Sequence, residues 1–303
     1  AVLGGLSLDK MAPPLTAVRK YATAALLGAL LAGSASAQTI VSFNGFASHG
    51  GLTINSSATV TSTTDGSVIR LVNTNTDLAG SFFTNSLVNA SGFSTAFDFR
   101  ITNPGGISDG LQVGADGLTF ALQTVAPSSV GRLGVDLGYG GINHSVAVEF
   151  DTYANSGDDP SLTNGGSNHV AVDLNGSVSS ASNAVGVTPQ FDNGALWTAW
   201  VDYNGTVMEV RVSNTGVRPT NPTLSYTINI PSTIGGSSAY FGFTGGTGSA
   251  YSNEDIVDWA YSPTFVSGGI STPLSIPEPA TYQLILAGAA LLWLRRRKLR
   301  QAA

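Results

Sequence analysis

The chain has 303 residues, 37 of them glycine, only 11% charged and none cysteine, so disulfides, thiolate metal sites and thiol nucleophiles are excluded. Its length suffices for one large domain with a sizeable core, and the recurrence of Val, Thr, Phe and Tyr argues for an extracellular all-β chain rather than a helical or disordered one. Eight of the 13 basic residues lie near the two ends, so residues 38–276 hold five arginines against seventeen acids, a balance that repels nucleic acid and attracts cations.

Taken in order, Met11 reads as the start of the translated chain. Arg19 and Lys20 precede an apolar run, Tyr21 to Leu31, and the small-residue stretch Gly33-Ser34-Ala35-Ser36-Ala37. This basic, apolar, Ala-x-Ala order predicts a secretory signal over 1–37, cleaved after Ala37. A short buried helix is the alternative reading.

From Gln38 to Ser262 short strands alternate with turns, without a convincing helical period. Strands are predicted over 40–46, 67–72, 80–84, 94–101, 117–123, 145–152, 169–174, 197–203, 206–213, 224–230, 240–244 and 256–262. Asn204-Gly205, between two alternating runs, signals a two-residue hairpin turn. Trp197, Trp200 and Trp259 sit in strand patterns and read as core. Strands alone predict an all-β jelly-roll sandwich of antiparallel sheets.

The chemistry concentrates in Val146 to Val170, VAVEFDTYANSGDDPSLTNGGSNHV. Val146, Val148 and Phe150 share one face of a strand, and Glu149 and Asp151 the other, with Tyr153 and Asn155 continuing the acidic parity. A polar loop with Asp158 and Asp159 follows, and His169 opens the next strand. Oxygen ligands suit calcium, and a histidine beside carboxylates suits manganese, zinc or iron. The spacing fits two cations that share Asp151 and Asp159.

Residues 263–276, rich in Gly, Ser and Pro, read as a linker. Beyond it Pro277-Glu278-Pro279, a mostly apolar segment from Ala280 to Leu294, and Arg295-Arg296-Arg297-Lys298 follow in turn. This three-part order resembles the PEP-CTERM sorting signal of Gram-negative bacteria. The resemblance implies transient membrane contact of the tail 277–303, recognition by exosortase-type machinery, and release to the cell surface or the extracellular matrix. A plain C-terminal anchor is the alternative, and both readings place the body outside the cytoplasm.

Ala115-Asp116-Gly117-Leu118-Thr119-Phe120, then Val146 through Asn155, then His169-Val170-Ala171-Val172-Asp173, together resemble the legume (L-type) lectins in kind and order. Phe241 to Gly245 and Ile256 to Trp259 match the family's closing segment, so the resemblance covers 39–262. It implies a concanavalin-like sandwich, calcium and manganese (or another transition metal) as cofactors, and a carbohydrate as ligand. By the resemblance Glu149, Asp151, Asp159 and His169 hold the transition metal. Calcium takes Asp151, the carbonyl of Tyr153, Asn155 and Asp159, with Asp158 a competing choice for Asp159. The sugar meets Asp116, which follows a cis peptide in such lectins, and also Tyr153 and Asn155, with a glycine amide completing the set. Gly131 fits the family's Gly-x-Leu-Gly pattern, and an alternative register favours Gly134. The specificity loop falls at 245–253, with Gly248, Ser249 and Ala250 nearest the ligand. Plant relatives pair through their back sheets, so a homodimer is one possible state.

Two other functions compete. Laminarinase-like glycosidases share this sandwich and carry Glu-x-Asp-x-x-Glu, but here the third position is Ala154, so one of the two carboxyl groups needed for hydrolysis is lacking. A structural matrix protein with a degenerate lectin domain would have shed some of the ligand set. The expectation is a lectin that is not an enzyme.

Overall fold

A computed structural model describes residues 39–155 and 167–272. The predicted signal (1–37) and sorting tail (277–303) lie outside these residues. Among the described residues, sixteen strands form two antiparallel sheets of eight. The back sheet runs β14 (Leu224–Thr227), β13 (Val207–Ser213), β12 (Trp197–Tyr203), β7 (Phe93–Gly106), β16 (Ala250–Ser262), β4 (Gly66–Val72), β3 (Thr59–Thr63), with β1 (Val41–Phe43) also paired to β16. The front sheet runs β11 (Val185–Gly186), β10 (His169–Leu174), β9 (Ser145–Asp151), β8 (Gly117–Gln123), β15 (Ser238–Gly246), β5 (Ala79–Thr84), β2 (Leu52–Ser56), with β6 (Val88–Asn89) on β15.

The two-residue period of each strand decides what enters the space between the sheets. Val146, Val148 and Phe150 of β9 enter this core, where Phe150 meets Phe97 and Phe99 of β7, and Phe243 of β15 meets Trp259 of β16. Phe97 stands edge-on to Phe243 with ring centroids 4.7 Å apart, and Phe243 edge-on to Trp259 at 5.2 Å. Such pairs add about 0.5–1.5 kcal/mol each beyond the area they bury. The core is an aromatic sandwich, and it needs no contribution from the polar loops at its edge.

Three local features depart from the sequence expectation. β2 and β3 form where none was predicted. A short helix, α1 (Ile230–Ile234), takes over at the end of the strand predicted to reach Ile230. It is capped by the Asn229 side chain, which accepts from the Ser232 amide at 3.0 Å, and closed by Gly235 at φ +76°. The β12–β13 hairpin turns one residue later than predicted: the Asn204 amide donates to the Val207 carbonyl at 3.2 Å, leaving Gly205-Thr206 at the tip.

The predicted linker is described as far as Thr272, and residues 263–272 lie as a strap across the outer face of the back sheet. The Asn89 side-chain amide donates to the Pro263 carbonyl at 2.7 Å, and the Val266 amide donates to Ser94 Oγ at 3.1 Å. Ile270 and Val266 pack with Ala96, Trp200 and Ala260. Trp197 and Trp259 are therefore core, whereas Trp200 is buried under the strap.

Beneath the end of the strap, Asp98 of β7 faces Asp258 of β16 across the ladder. Asp98 accepts from the Thr198 hydroxyl at 2.5 Å. Burial, and then the neighbouring Asp98 charge, push Asp258 up to about 8. Burial also raises Asp98, while hydrogen bonds from Thr198 and from Thr272 of the strap work against the rise. The pair therefore holds a proton at neutral pH. An acid raised in the folded state stabilises the fold less as pH climbs from its ordinary value, 3.8, to its folded one, about 8. Accordingly, the melting temperature of the wild type should fall between pH 6 and pH 9. Asp258→Asn should flatten that fall, each kcal/mol recovered being worth about 2–4 °C in a domain of this size; thermal scans at the two pH values measure it.

Candidate functional site

The site forms where β8, β9 and β10 lie side by side. In β9 the residues that alternate with the core-facing ones are Ala147, Glu149 and Asp151, so both acids point outward from the front sheet. His169 opens β10 directly opposite Asp151, and Ala171 stands opposite Glu149. This register puts imidazole and carboxylates on one face. One ligand atom from each of Glu149, Asp151 and His169 lies within 4.8 Å of the others, and all three side chains are buried. His169 Nε2 is 3.1 Å from Glu149 Oε1, and the Ser180 hydroxyl donates to the same oxygen at 2.9 Å.

Two carboxylates so close repel by about 3–4 kcal/mol at the effective dielectric of a protein. The five arginines of the body are each engaged with an acid elsewhere: Arg70 with Asp255, Arg100 with Asp65, Arg132 with Asp136, Arg211 with Glu209 and Asp202, and Arg218 with Asp202. Two carboxylate oxygens and an imidazole nitrogen at this separation are a donor set suited to a transition-metal ion, so the residues present fit one. Asp151 Oδ1 also accepts the Tyr153 amide at 2.7 Å, turning the chain so that Tyr153 and Asn155 follow at the rim, both partly exposed. Asp159, and with it Asp158, lies outside the described residues.

Asp116 sits beside this cluster, at the start of β8. The Ala115–Asp116 peptide is cis, as the resemblance implied. The Asp116 amide donates to the Gly246 carbonyl at 2.9 Å, and its carbonyl accepts from the Thr152 amide at 3.0 Å, so the residue is pinned to β15 on one side and to the end of β9 on the other. Gly117 pairs with Asp151 at φ +124°, and a Cβ there would lie 2.3 Å from the Phe150 carbonyl oxygen. Its amide donates to Glu254 Oε1 at 3.0 Å. Glu254 is fully buried, and that burial, reinforced by the charge of Asp116, pushes its carboxyl well above the usual range against the opposing Gly117 hydrogen bond. Tyr153 is also raised, by desolvation first and then by the charges of Asp109 and Asp116.

Several expectations shift. Gly131 gives its amide to the Gly138 carbonyl at 2.7 Å, and a Cβ there would strike the backbone of Gly138 and Tyr139. Of the two candidates Gly134 is the one near the Asp116 carboxylate, its Cβ position 4.0 Å from Asp116 Oδ2; its amide donates to the Thr247 carbonyl at 3.1 Å. The predicted specificity loop 245–253 is mostly strand, with only Thr247, Gly248 and Ser249 between β15 and β16. Gly248 lies against Asp116, with its Cβ position 3.5 Å from Oδ2, and Ser249 is exposed. Ala250 is buried within β16 opposite Gly106, because the strand begins earlier than its sequence suggested. The sequence reading missed Asp109, Gln112, Ser180 and Glu254, which reach the site from other segments and carry no local signal.

Gly117→Ala should cost more than about 1 kcal/mol in denaturant unfolding, since the new methyl meets both a forbidden φ and the Phe150 carbonyl.

A family model for the legume lectin domain matches residues 38–274. The chain is 35% identical over 182 residues to the L-type lectin-domain containing receptor kinase VIII.1 of Arabidopsis thaliana, an overlap of 58% of this chain and 24% of that protein. It is 31% identical over 188 residues to Agglutinin-2 of Cladrastis kentukea, an overlap of 58% and 59%. The chain thus spans less than two thirds of the length of these curated relatives. Among solved structures, peanut lectin with a 9mer peptide superposes with a TM-score of 0.60 at 24% identity, covering 76% of this chain and 99% of that one. The exoplasmic/lumenal domain of VIP36 in its Ca2+/Man-bound form gives 0.54 at 17%, covering 73% and 86%. These likenesses speak for the sandwich itself, and the family model covers it almost from end to end. The chain belongs to the legume lectin domain family.

Proposed function

We propose that this protein is a secreted lectin that binds cell-surface or matrix polysaccharide in a metal-dependent way, without covalent chemistry. The observation that carries this reading is the adjacency of two constellations: the Glu149–Asp151–His169 cluster, and Asp116 after its cis peptide, joined through Thr152. A transition metal would be held by Glu149, Asp151 and His169 with Asp159, and calcium by Asp151, the Tyr153 carbonyl, Asn155 and Asp159. The bound ions would supply fixed positive charge that offsets the carboxylates and sets the loop. The chain's own residues do the recognition. Asp116 accepts hydrogen bonds from adjacent hydroxyls, Asn155 donates its side-chain amide, and Tyr153 lays its ring on the apolar face of a sugar, where C–H groups meet π density. The Thr247–Ser249 turn, with Gly248 against Asp116, would border the sugar on that side.

Export through the signal, passage of the tail through exosortase-type machinery, and a Gram-negative cell-surface destination belong to the same reading. Self-pairing would use sheet edges, because the strap covers Trp200 at the middle of the back face.

A glycan array probed with the protein in calcium and manganese, and again after chelation, tests the reading. Binding should appear only with the ions. Chelation should leave the aromatic core folded by near-ultraviolet circular dichroism, and Asp116→Ala should lose at least about 2 kcal/mol of binding, because polar ligand groups lose a charged partner. Saccharide binding that survives chelation, or reducing sugar released from the array glycans, would sink the proposal.

A further inference from the structure

The connection between β7 and β8, residues 107–116, touches the metal-bearing segment at more points than a passing loop requires. The Gln112 side-chain amide donates to the Thr152 carbonyl and to the Ser167 carbonyl, the latter at 3.2 Å. Thr152 follows the last residue of β9, and Ser167 stands two residues before His169, so a single amide group ties the exit of one ligand strand to the entry of the next. Asp109 Oδ2 accepts the Ala154 amide at 3.2 Å, midway between Tyr153 and Asn155. Its other oxygen accepts the amides of Leu111 at 2.7 Å and Gln112 at 2.8 Å, closing the turn that aims Gln112. A bridge between Ser108 and Val113 completes this small hairpin.

The backbone it acts on is held at three consecutive amides, two of them by the 107–116 connection and one by the end of β9 itself. Thr152 N–H goes to the Asp116 carbonyl, Tyr153 N–H to Asp151 Oδ1, and Ala154 N–H to Asp109 Oδ2. Amides taken in this way fix the direction of the peptide planes, and hence of the Tyr153 carbonyl and the Asn155 side chain, without any ion. Neither Asp109 nor Gln112 has a role in the ligand set described above.

We propose that Gln112 and Asp109 are positioning residues, a brace that shapes the calcium-binding segment after β9 before the ion arrives; this rests on the metal-dependent reading above. Second partners of this kind alter metal affinity by about 10- to 100-fold when removed.

The test uses the full chain and the variants Gln112→Ala, Asp109→Ala and Asp109→Asn, with calcium titrated by calorimetry and amide hydrogen exchange followed in metal-free protein. Both alanine variants should bind calcium at least about 10-fold more weakly, and exchange at Ala154 should quicken about 10-fold or more in metal-free Asp109→Ala. Asp109→Asn, which keeps one acceptor oxygen where the carboxylate uses two, should recover at most part of either loss. Melting temperatures of the metal-free variants should stay near wild type, since the aromatic core lies elsewhere. Calcium affinity within twofold of wild type in both alanine variants overturns the brace. So does a collapse of melting temperature in step with affinity, which would make these residues part of the general fold. If the wild type binds no calcium, the metal-dependent reading fails by itself; Ala154 exchange then decides the brace alone, and an unchanged rate in Asp109→Ala overturns it.

Discussion

Like charge held at short range is the constraint from which the site follows. Glu149 and Asp151 are fixed on one face by the pleat of β9, and neither can turn away without sending Phe150 or Val148 out of the core. The arginines that might have neutralised them are spent on other acids. What the strand geometry imposes, only an external cation or a shift in protonation can relieve. Glu254 illustrates the second route, as a buried acid whose carboxyl is pushed toward neutrality beside Asp116. Glu149, Asp151 and His169 are suited to the first, because an imidazole nitrogen among carboxylates would offer a metal the mixed donors it prefers.

The rest of the molecule keeps that arrangement rigid without taking part in it. The aromatic stack of Phe97, Phe243 and Trp259 fixes the separation of the sheets. The front sheet fixes the register of β8, β9 and β10, and the register brings His169 opposite Asp151. The metal-suited cluster stays on the outer face of the front sheet, apart from that stack.

How much of this could be read from the sequence depends on the range of the interaction. The strands β8, β10 and β12 show in their two-residue period, and the same period separates Phe150 from Glu149 and Asp151. β3, Thr-Val-Thr-Ser-Thr, offers little contrast between its faces and so escaped notice. Spacing alone left Gly131 and Gly134 both open, because each fits a glycine pattern and only the turn geometry decides which approaches Asp116. Gln112 and Glu254 gave no usable signal: their partners lie 40 and 137 residues away, and nothing local marks an ordinary polar side chain as half of such a contact.

The strap, finally, gives the domain a direction. It crosses the outer face of the back sheet, while Glu149 and His169 open onto the outer face of the front one. The described chain therefore leaves on the side away from its charged pocket. A load transmitted through the residues that follow Thr272 would first meet the hydrogen bond of Thr272 to Asp98 and then the contact of Ile270 with Trp200, ahead of any ladder bond in β16. Peeling these contacts would lengthen the chain by the span of the strap before the sandwich felt the force. Under such a load the strap would act as slack ahead of the folded body.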